Sequence, residues 1–521
     1  MAVRKWSLLK KNLKQTKKKT HTSSLIKITA NWMESYQNSL LTHIQKNQRN
    51  EKGKGEKGIM IRKPKVGVFV MALLEDDYNK TAHVRPMAQK VADHIGEIIS
   101  KYAETVCPAL VEEEHQAEAA ARMFNAEDVD LIIAVEVAYT KGIVPTRCFL
   151  NTTAPVVVWN TQQIEFLPED ADFDLIMVNS GMAGVPEMTS ALLRIGRPFW
   201  IVTSMMDDPA GHQQLADYIT AAGVIKQLKH ARIAIFGHAF EGMTDLMIDQ
   251  LSLRQQVGPV CWPVEPEKVS VAMGEIPDVD VKALMDKESG RYHIDIAAEQ
   301  FEQSCRLALA LEKVTRDGKF DAVASFDQVW LTDPRVGIIP SYGTGRLCEL
   351  GIPCSTEADI TTLTAMLILQ GIAGKATFLE NYVIDFKRDA IILSHDGHGN
   401  PDMAAAPSDV ILKHSIYYEG IKGFGAGFEF AYAAGPVTNL SLVPVQGHWR
   451  LIIAEGESIA IKPRPVAAPQ MLFKPKALPI AEWCTKWCEA GAPHHQALAF
   501  GHLAEKIKIY AKMQGLDFIE V

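Results

Sequence analysis

The chain has 521 residues, 47% of them apolar and 22% charged, with a formal net charge of −8. That length allows three ordinary domains, and the acidic balance argues against a nucleic-acid partner. No apolar run is long and charge-free enough to cross a bilayer, and eight cysteines in so long a chain do not make a disulfide scaffold, so a cytoplasmic protein is expected.

Residues 1–59 stand apart, being rich in Lys, Asn, Gln, Ser and Thr. Runs such as Lys14-Gln-Thr-Lys-Lys-Lys-Thr and Glu51-Lys-Gly-Lys-Gly-Glu-Lys-Gly cannot build a core. The start is basic but lacks an apolar h-region and a small-residue cleavage site. The expectation is a disordered tail, or an extension upstream of a start at Met60.

A strand–helix rhythm begins at Val66. Lys65-Val-Gly-Val-Phe-Val-Met-Ala reads as a buried parallel strand. The spacing of Val84, Met87, Val91, Ile95, Ile98 and Ile99 predicts a helix over 83–102. Strands follow at Val129–Val135, Pro155–Trp159, Leu175–Val178 and Pro198–Val202, with a helix at Met188–Arg194. A second unit starts near His230, with a strand at Ala231–Gly237 and a helix expected over Glu241–Leu253. Gly237-His-Ala-Phe-Glu-Gly is not a dinucleotide fingerprint. A helix at Phe301–Val314 and a strand at Phe320–Phe326 lead to Asp327, just past a strand end, where α/β sheets place ligands.

After Gly374 the rhythm changes to short strands around Ala390–Leu393, Phe428–Tyr432, Val437–Val443 and Trp449–Ala454, with a turn at Gly447-His448. This pattern predicts an antiparallel barrel or sandwich. Gly423-Phe-Gly-Ala-Gly is read as an inter-strand loop, since no helix follows it to make a phosphate site. Helices are expected at Ile480–Glu489 and His502–Met513. The expected fold is α/β: two Rossmann-like parallel-sheet domains, 60–228 and 229–350, then a β-rich domain, 351–521.

Ser355–Phe386 concentrates the candidate chemistry. Glu357 and Asp359 precede an apolar helix from Ile360 to Ile372, and Glu380 and Asp385 flank an aromatic strand. Clustered acids beside apolar runs suggest a shared cation, because lone buried carboxylates are costly. The competing reading makes Thr356 a helix cap, Asp359 the far end of its capping box, and the rest solvated surface. His395 and His398 are read as a solvated hairpin turn, with a metal loop as the alternative. His494 and His495 have a similar ambiguity, a polar turn or ligands. Cys484 and Cys488 lack a second ligand pair and are read as helix positions.

Taken together, several motifs resemble one family. They are Tyr139-Thr-Lys-Gly-Ile-Val-Pro-Thr-Arg, Trp159-Asn-Thr-Gln162, Ile235-Phe-Gly-His-Ala-Phe-Glu-Gly-Met, Phe326-Asp327, Glu357-Ala-Asp359, Phe378-Leu-Glu-Asn-Tyr, Gly435-Pro-Val-Thr, Ala454-Glu-Gly-Glu and Glu489-Ala-Gly-Ala-Pro-His-His. In this order, from about Lys65 to Val521, the chain resembles the L-arabinose isomerase / L-fucose isomerase superfamily of metal-dependent aldose–ketose isomerases. The resemblance implies two α/β domains and a β-rich one, and a divalent metal, typically Mn2+, with Mg2+ or Co2+ as alternatives. It also implies a homotrimer or homohexamer whose active site is completed by a neighbouring subunit. It makes Glu357 and Asp327 the catalytic acid/base pair and Asp327, Glu357, Asp385 and His495 the metal ligands. His494, Lys141 and Gln162 become sugar-binding residues. Asp stands at 327 and 385 where the arabinose enzymes have Glu and His, which puts the substrate in question. The leading function is isomerisation of a pentose, a 6-deoxyhexose or a modified hexose through a cis-enediol. A sugar-binding protein that lost catalysis, or a lyase or epimerase, are the alternatives.

Overall fold

The computed structural model describes residues 62–73, 84–416 and 422–521. The expectations for residues 1–59 and for His83 therefore lie outside the described residues. Three sheets organise the described chain.

The first sheet contains β1 (Lys65–Met71), β2 (Glu104–Val106), β3 (Leu131–Glu136), β4 (Val156–Gln162) and β5 (Phe199–Met205), in the order β2-β1-β3-β4-β5. All its pairings are parallel. Val66, Val68 and Val70 of β1 bury against the helices Val84–Ser100 and Pro209–His230, while Phe69 and Met71 face the helices Glu114–Ala126 and Gly181–Arg194. A sheet covered on both faces explains why these strands are continuously apolar. Leu175–Val178, expected as a strand, lies instead in and just after the short helix Phe173–Met177, which Asp172 caps through the Leu175 amide.

Glu136, at the end of β3, is the polar exception in this core. It is 1% exposed and neither carboxyl oxygen has a hydrogen-bond partner. Burial drives its pKa up to about 8, against a smaller pull from the Thr140 amide, and Glu187 adds to the rise. The folded protein then holds a proton that the unfolded chain has lost. Stability contributed at low pH falls away as pH rises from about 4.5 to about 8. Glu136→Gln is expected to leave the thermal midpoint unchanged at pH 5 and to raise it at pH 8.5. Equal midpoints at both values would show that Glu136 ionises freely.

The second sheet contains β6 (Arg232–Phe236), β7 (Val260–Val264), β9 (Ala322–Ser325) and β10 (Cys354–Ser355), ordered β10-β9-β6-β7 and all parallel. Between β7 and β9 in the chain, β8 (His293–Asp295) leaves this sheet and joins the third. The helix expected over Glu241–Leu253 does not form. Gly242 takes φ +87°, a 3-10 turn covers Thr244–Leu246, and Asp249 starts a new helix, Gln250–Gln256, by accepting the Leu251 and Ser252 amides. A side chain that caps so effectively competes with helix continuation.

The third sheet adds β11 (Thr377–Asp385), β12 (Ala390–Ser394), β13 (Ile411–Ile416), β14 (Lys422–Ala431), β15 (Gly435–Val445), β16 (His448–Ile459), β17 (Pro469–Pro475), β18 (His495–Phe500) and β19 (Asp517–Glu520). Because β16 pairs with both β15 and β17, the strands β16-β15-β18-β11-β12-β17 close on themselves as an antiparallel barrel. Closure removes the free edges that so many short strands would otherwise expose. Gln446 and Gly447, at φ +50° and +88°, make the tight turn between β15 and β16.

Two local expectations change here. Gly423–Gly427 belongs to β14 and is not a loop. Its last glycine is needed because a Cβ there would sit 3.0 Å from the Gly397 Cα, on the segment carrying His395 and His398. His495 opens β18, a strand between the two C-terminal helices, the second of which runs Ala504–Gln514.

The helix Ile360–Ala373 is buried on every side from Ile360 to Gln370. It packs between the second sheet and the outer face of the barrel, touching β9, β15 and β18. Such all-round burial marks a helix sandwiched between layers. Its N-terminal end and the ends of β9 and β10 place the candidate site between the sheet and the barrel. Among the described residues no helix is long and apolar enough to cross a membrane.

Candidate active site

The site begins where β10 ends. Thr356-Glu357-Ala358-Asp359 turns sharply into the Ile360 helix, with Glu357 and Ala358 at φ +57° and +53°. Two successive non-glycine residues in the left-handed region are strained, a feature that clusters at functional sites. Asp359 is the N-cap itself, correcting the capping box expected from Thr356: its Oδ1 accepts the Thr362 amide at 2.9 Å and the Thr361 hydroxyl at 2.7 Å. Its other oxygen, Oδ2, lies 3.1 Å from His495 Nδ1. Burial opposes ionisation of Asp359, but the bonds from His495, Thr362 and Thr361 outweigh it and hold the carboxyl below the usual range. An ionised Asp359 makes His495 Nδ1 the donor and turns the Nε2 lone pair outward.

That Nε2 faces Glu357 Oε2 at 3.5 Å. His395 arrives from beyond β12, its Nε2 3.2 Å from the Thr356 hydroxyl. Burial, with His495 and His398 nearby, keeps its imidazole neutral, well below the ordinary histidine pKa. Glu357, His395 and His495 each offer one ligand atom, all within 4.8 Å of one another, the one such group among the described residues. Glu357 Oε2, His395 Nδ1 and His495 Nε2 are buried and have no hydrogen-bond partner. Buried polar atoms are normally satisfied, so three orphans converging on one point fit a bound cation. The Asp359 carboxylate on the far nitrogen of His495 is a partner that metal-binding histidines use.

Glu380 completes the surroundings. The β11–β18 register sets it opposite His495. Burial raises its pKa, and the carboxyl also feels His495, His494, Glu357 and Asp245. His494 lies beside His495, ring centroids 3.9 Å apart and planes tilted by 38°, and contacts Asp245 through Nδ1 at 2.5 Å.

The expected residues distribute unevenly. Glu357 and His495 meet, with His494 beside them. Asp385 does not join them. A bulge between Asn381 and Val383 keeps it on the sheet face of Glu380, but its partner is Ala390, whereas Glu380 pairs with Ser394. Four residues of register amount to about 13 Å. Asp385 is instead held by Arg388 at 2.6 Å. Asp327 is buried behind the group, where Ser325 Oγ donates to it at 3.0 Å. Burial pushes it up to about 8, with Ser325 pulling down and Glu357 and Asp396 adding to the rise. Gln162 ends β4 of the first sheet, where its amide donates to the Ile164 carbonyl at 2.6 Å, and Lys141 lies in the loop before the helix Ile143–Leu150, away from this group. The solvated turn expected at His395 and His398 is buried, and only His395 faces the cluster. His398 bridges Thr344 Oγ1 and the Cys354 carbonyl, both at 2.9 Å. Sequence reasoning missed Asp245; it counted Glu380 among the clustered acids and gave His395 a metal loop only as the alternative, and Ser394, the last residue of β12, pairing opposite Glu380 is the signal that would have decided for His395.

A sequence model of the L-arabinose isomerase C-terminal domain matches residues 375–517. The L-arabinose isomerase of Aeromonas hydrophila subsp. hydrophila is 24% identical over 70% of this chain and 76% of its own length. That of Geobacillus thermodenitrificans is 25% identical over 71% and 77%. These similarities support the L-arabinose isomerase superfamily for this chain. A third member, the L-arabinose isomerase of Yersinia enterocolitica, is 21% identical over 74% of this chain and 82% of its own. Within the superfamily match, residues 375–517 include Glu380, His395 and His495, while Glu357 precedes that segment.

Proposed function

We propose that this protein is a metal-dependent aldose–ketose isomerase acting on a pentose, a 6-deoxyhexose or a modified hexose. The observation that carries this reading is the convergence of three orphaned donors, from Glu357, His395 and His495, with Glu380 facing them. Glu357, His395 and His495 would hold the metal, with the Glu380 carboxylate beside them. Two imidazoles with carboxylates suit Mn2+ or Co2+ better than Mg2+. When bound, the cation polarises the sugar carbonyl and offsets enediolate charge.

The carboxylates do the proton work. Glu357 takes the C2 proton; that electron pair forms the C1=C2 bond, and the carbonyl π pair moves to O1, which takes a proton. In the second half O2 gives up its proton, the C2=O2 bond forms, and C1 receives a proton. Glu380, facing His495 across the strand pair, is the partner for the oxygen-bound proton. General acid–base catalysis of this kind contributes roughly 10²–10⁴-fold.

The reading is tested by incubating Mn2+-loaded protein in D2O with individual aldoses and following deuterium at C1 and C2 by NMR. Exchange with ketose formation in one sugar supports it. Metal binding without exchange favours a sugar-binding protein, and products not isomeric at C1/C2 favour a lyase or epimerase.

Saturation with Mn2+ at about 100 times its dissociation constant is expected to stabilise the fold by ~2.7 kcal/mol, and chelation to reverse this. His395→Ala should remove most of that gain, whereas Asp385→Asn should retain it; the reverse pattern would restore Asp385 as the ligand. We also propose a homotrimer or homohexamer. Phe166, Leu167, Phe173 and Met182 are exposed by 72, 54, 52 and 56% in the segments following β4, close in sequence to Gln162. A monomer by light scattering would rule out a shared site.

A further inference from the structure

Asp245 belongs to the 3-10 turn Thr244–Leu246 that replaces the expected helix after β6. One of its oxygens, Oδ2, contacts His494 twice, accepting the backbone N–H at 3.2 Å and meeting ring Nδ1 at 2.5 Å. The double contact fixes both the main chain and the ring rotation of His494, and the ring lies beside that of His495, centroids 3.9 Å apart. With Nδ1 engaged, Nε2 is the ring's remaining polar atom, and it lies 3.9 Å from Glu357 Oε2. The His494 side chain is 31% exposed while that of His495 is fully buried, so His494 occupies the open side of the centre.

We propose that Asp245 is a positioning residue of the isomerase: it holds His494 so that Nε2 meets an oxygen of the sugar beside Glu357, and it keeps Nδ1 away from the metal. This rests on the isomerase reading above. The chemistry recognised is a sugar hydroxyl: with Nδ1–H donated to the Asp245 carboxylate, Nε2 presents a lone pair that accepts from that hydroxyl. The carboxylate comes from the turn after β6 of the second sheet and the histidine from the residue before β18 of the barrel, so the contact also joins two layers of the fold, and a purely structural latch is the competing role.

Asp245→Ala and Asp245→Asn separate the two. Both variants are loaded with Mn2+, whose affinity is read by electron paramagnetic resonance, and assayed for KM and kcat with whichever aldose the wild type exchanges in D2O. The expected result for Asp245→Ala is a Mn2+ affinity within about 3-fold of wild type and a KM raised ~10-fold or more, with Asp245→Asn recovering much of the loss because its carbonyl still accepts from Nδ1. A latch alone would lower the thermal midpoint without moving KM. Unchanged KM in Asp245→Ala, or Mn2+ affinity falling in step with activity, overturns the positioning role while the isomerase reading stands. No exchange by Mn2+-loaded wild type overturns both.

Discussion

Replacing Glu357 by glutamine is expected to lower kcat by ~10²–10⁴-fold, the range that general acid–base catalysis supplies. The side chain keeps its length and volume, and the main chain keeps its φ of +57°, so the turn from β10 into the buried helix is preserved. What disappears is the negative charge on an oxygen that no hydrogen bond holds. Loss of that charge also weakens the metal site, so Mn2+ affinity is measured beside kcat. A fall in kcat that persists at saturating Mn2+ identifies the proton-transfer role. Near-normal turnover would remove Glu357 from that role and leave Glu380 as the base. Glu380→Gln is the companion variant: if both carboxylates act, each alone should be crippled and the double variant scarcely worse, because residues that work as a unit do not add.

Arg346→Met is expected to destabilise the protein by ~3–5 kcal/mol, the cost of stripping one partner from a buried charge pair. Arg346 Nη1 reaches Glu288 Oε1 at 3.0 Å and its Nε reaches Glu312 Oε1 at 2.5 Å. The Glu288 side chain is fully buried and that of Arg346 is 8% exposed. The three residues sit on the helices Asp278–Ser289, Ala298–Asp317 and Ser341–Glu349, so one guanidinium ties three helices together. Burial raises the Glu288 pKa even with Arg346 opposing it. In the variant Glu288 escapes by taking a proton, so the loss should be greater at pH 8 than at pH 5. Denaturant midpoints at the two pH values measure this. Equal, small losses would mean that water or Arg291, 3.4 Å from Glu288, replaces the missing partner.

Much of the fold was legible because its signals are local. The apolar runs at Val66, Leu131, Val156 and Ile233 state burial on both strand faces, and the turn at Gly447 states a hairpin. The failures have specific causes. A helical pattern over Glu241–Leu253 yielded to Asp249 capping. Short β18 was hidden beside a His-His pair that looked like a turn. His395 and His398 looked like a solvated turn but are buried, and His398 spends both nitrogens on Thr344 and Cys354.

For this protein, the sequence by itself determined the alternation of buried strands and helices, the switch to short antiparallel strands after Gly374, and the presence of Glu357 and His495 as candidate ligands. The first two follow from residue type and spacing within a few turns of chain; the choice of Glu357 and His495 follows from the family resemblance. Only the tertiary structure decided which acids and histidines share a centre. His395 and Glu380 enter it, and Asp385 leaves it, because the β11–β12 pairing, its bulge and the β11–β18 register fix their positions. Register is set by the closure of the barrel and by packing on the helix Ile360–Ala373. A shift of a few residues carries a side chain by about 3.3 Å per step, and no local pattern encodes that distance.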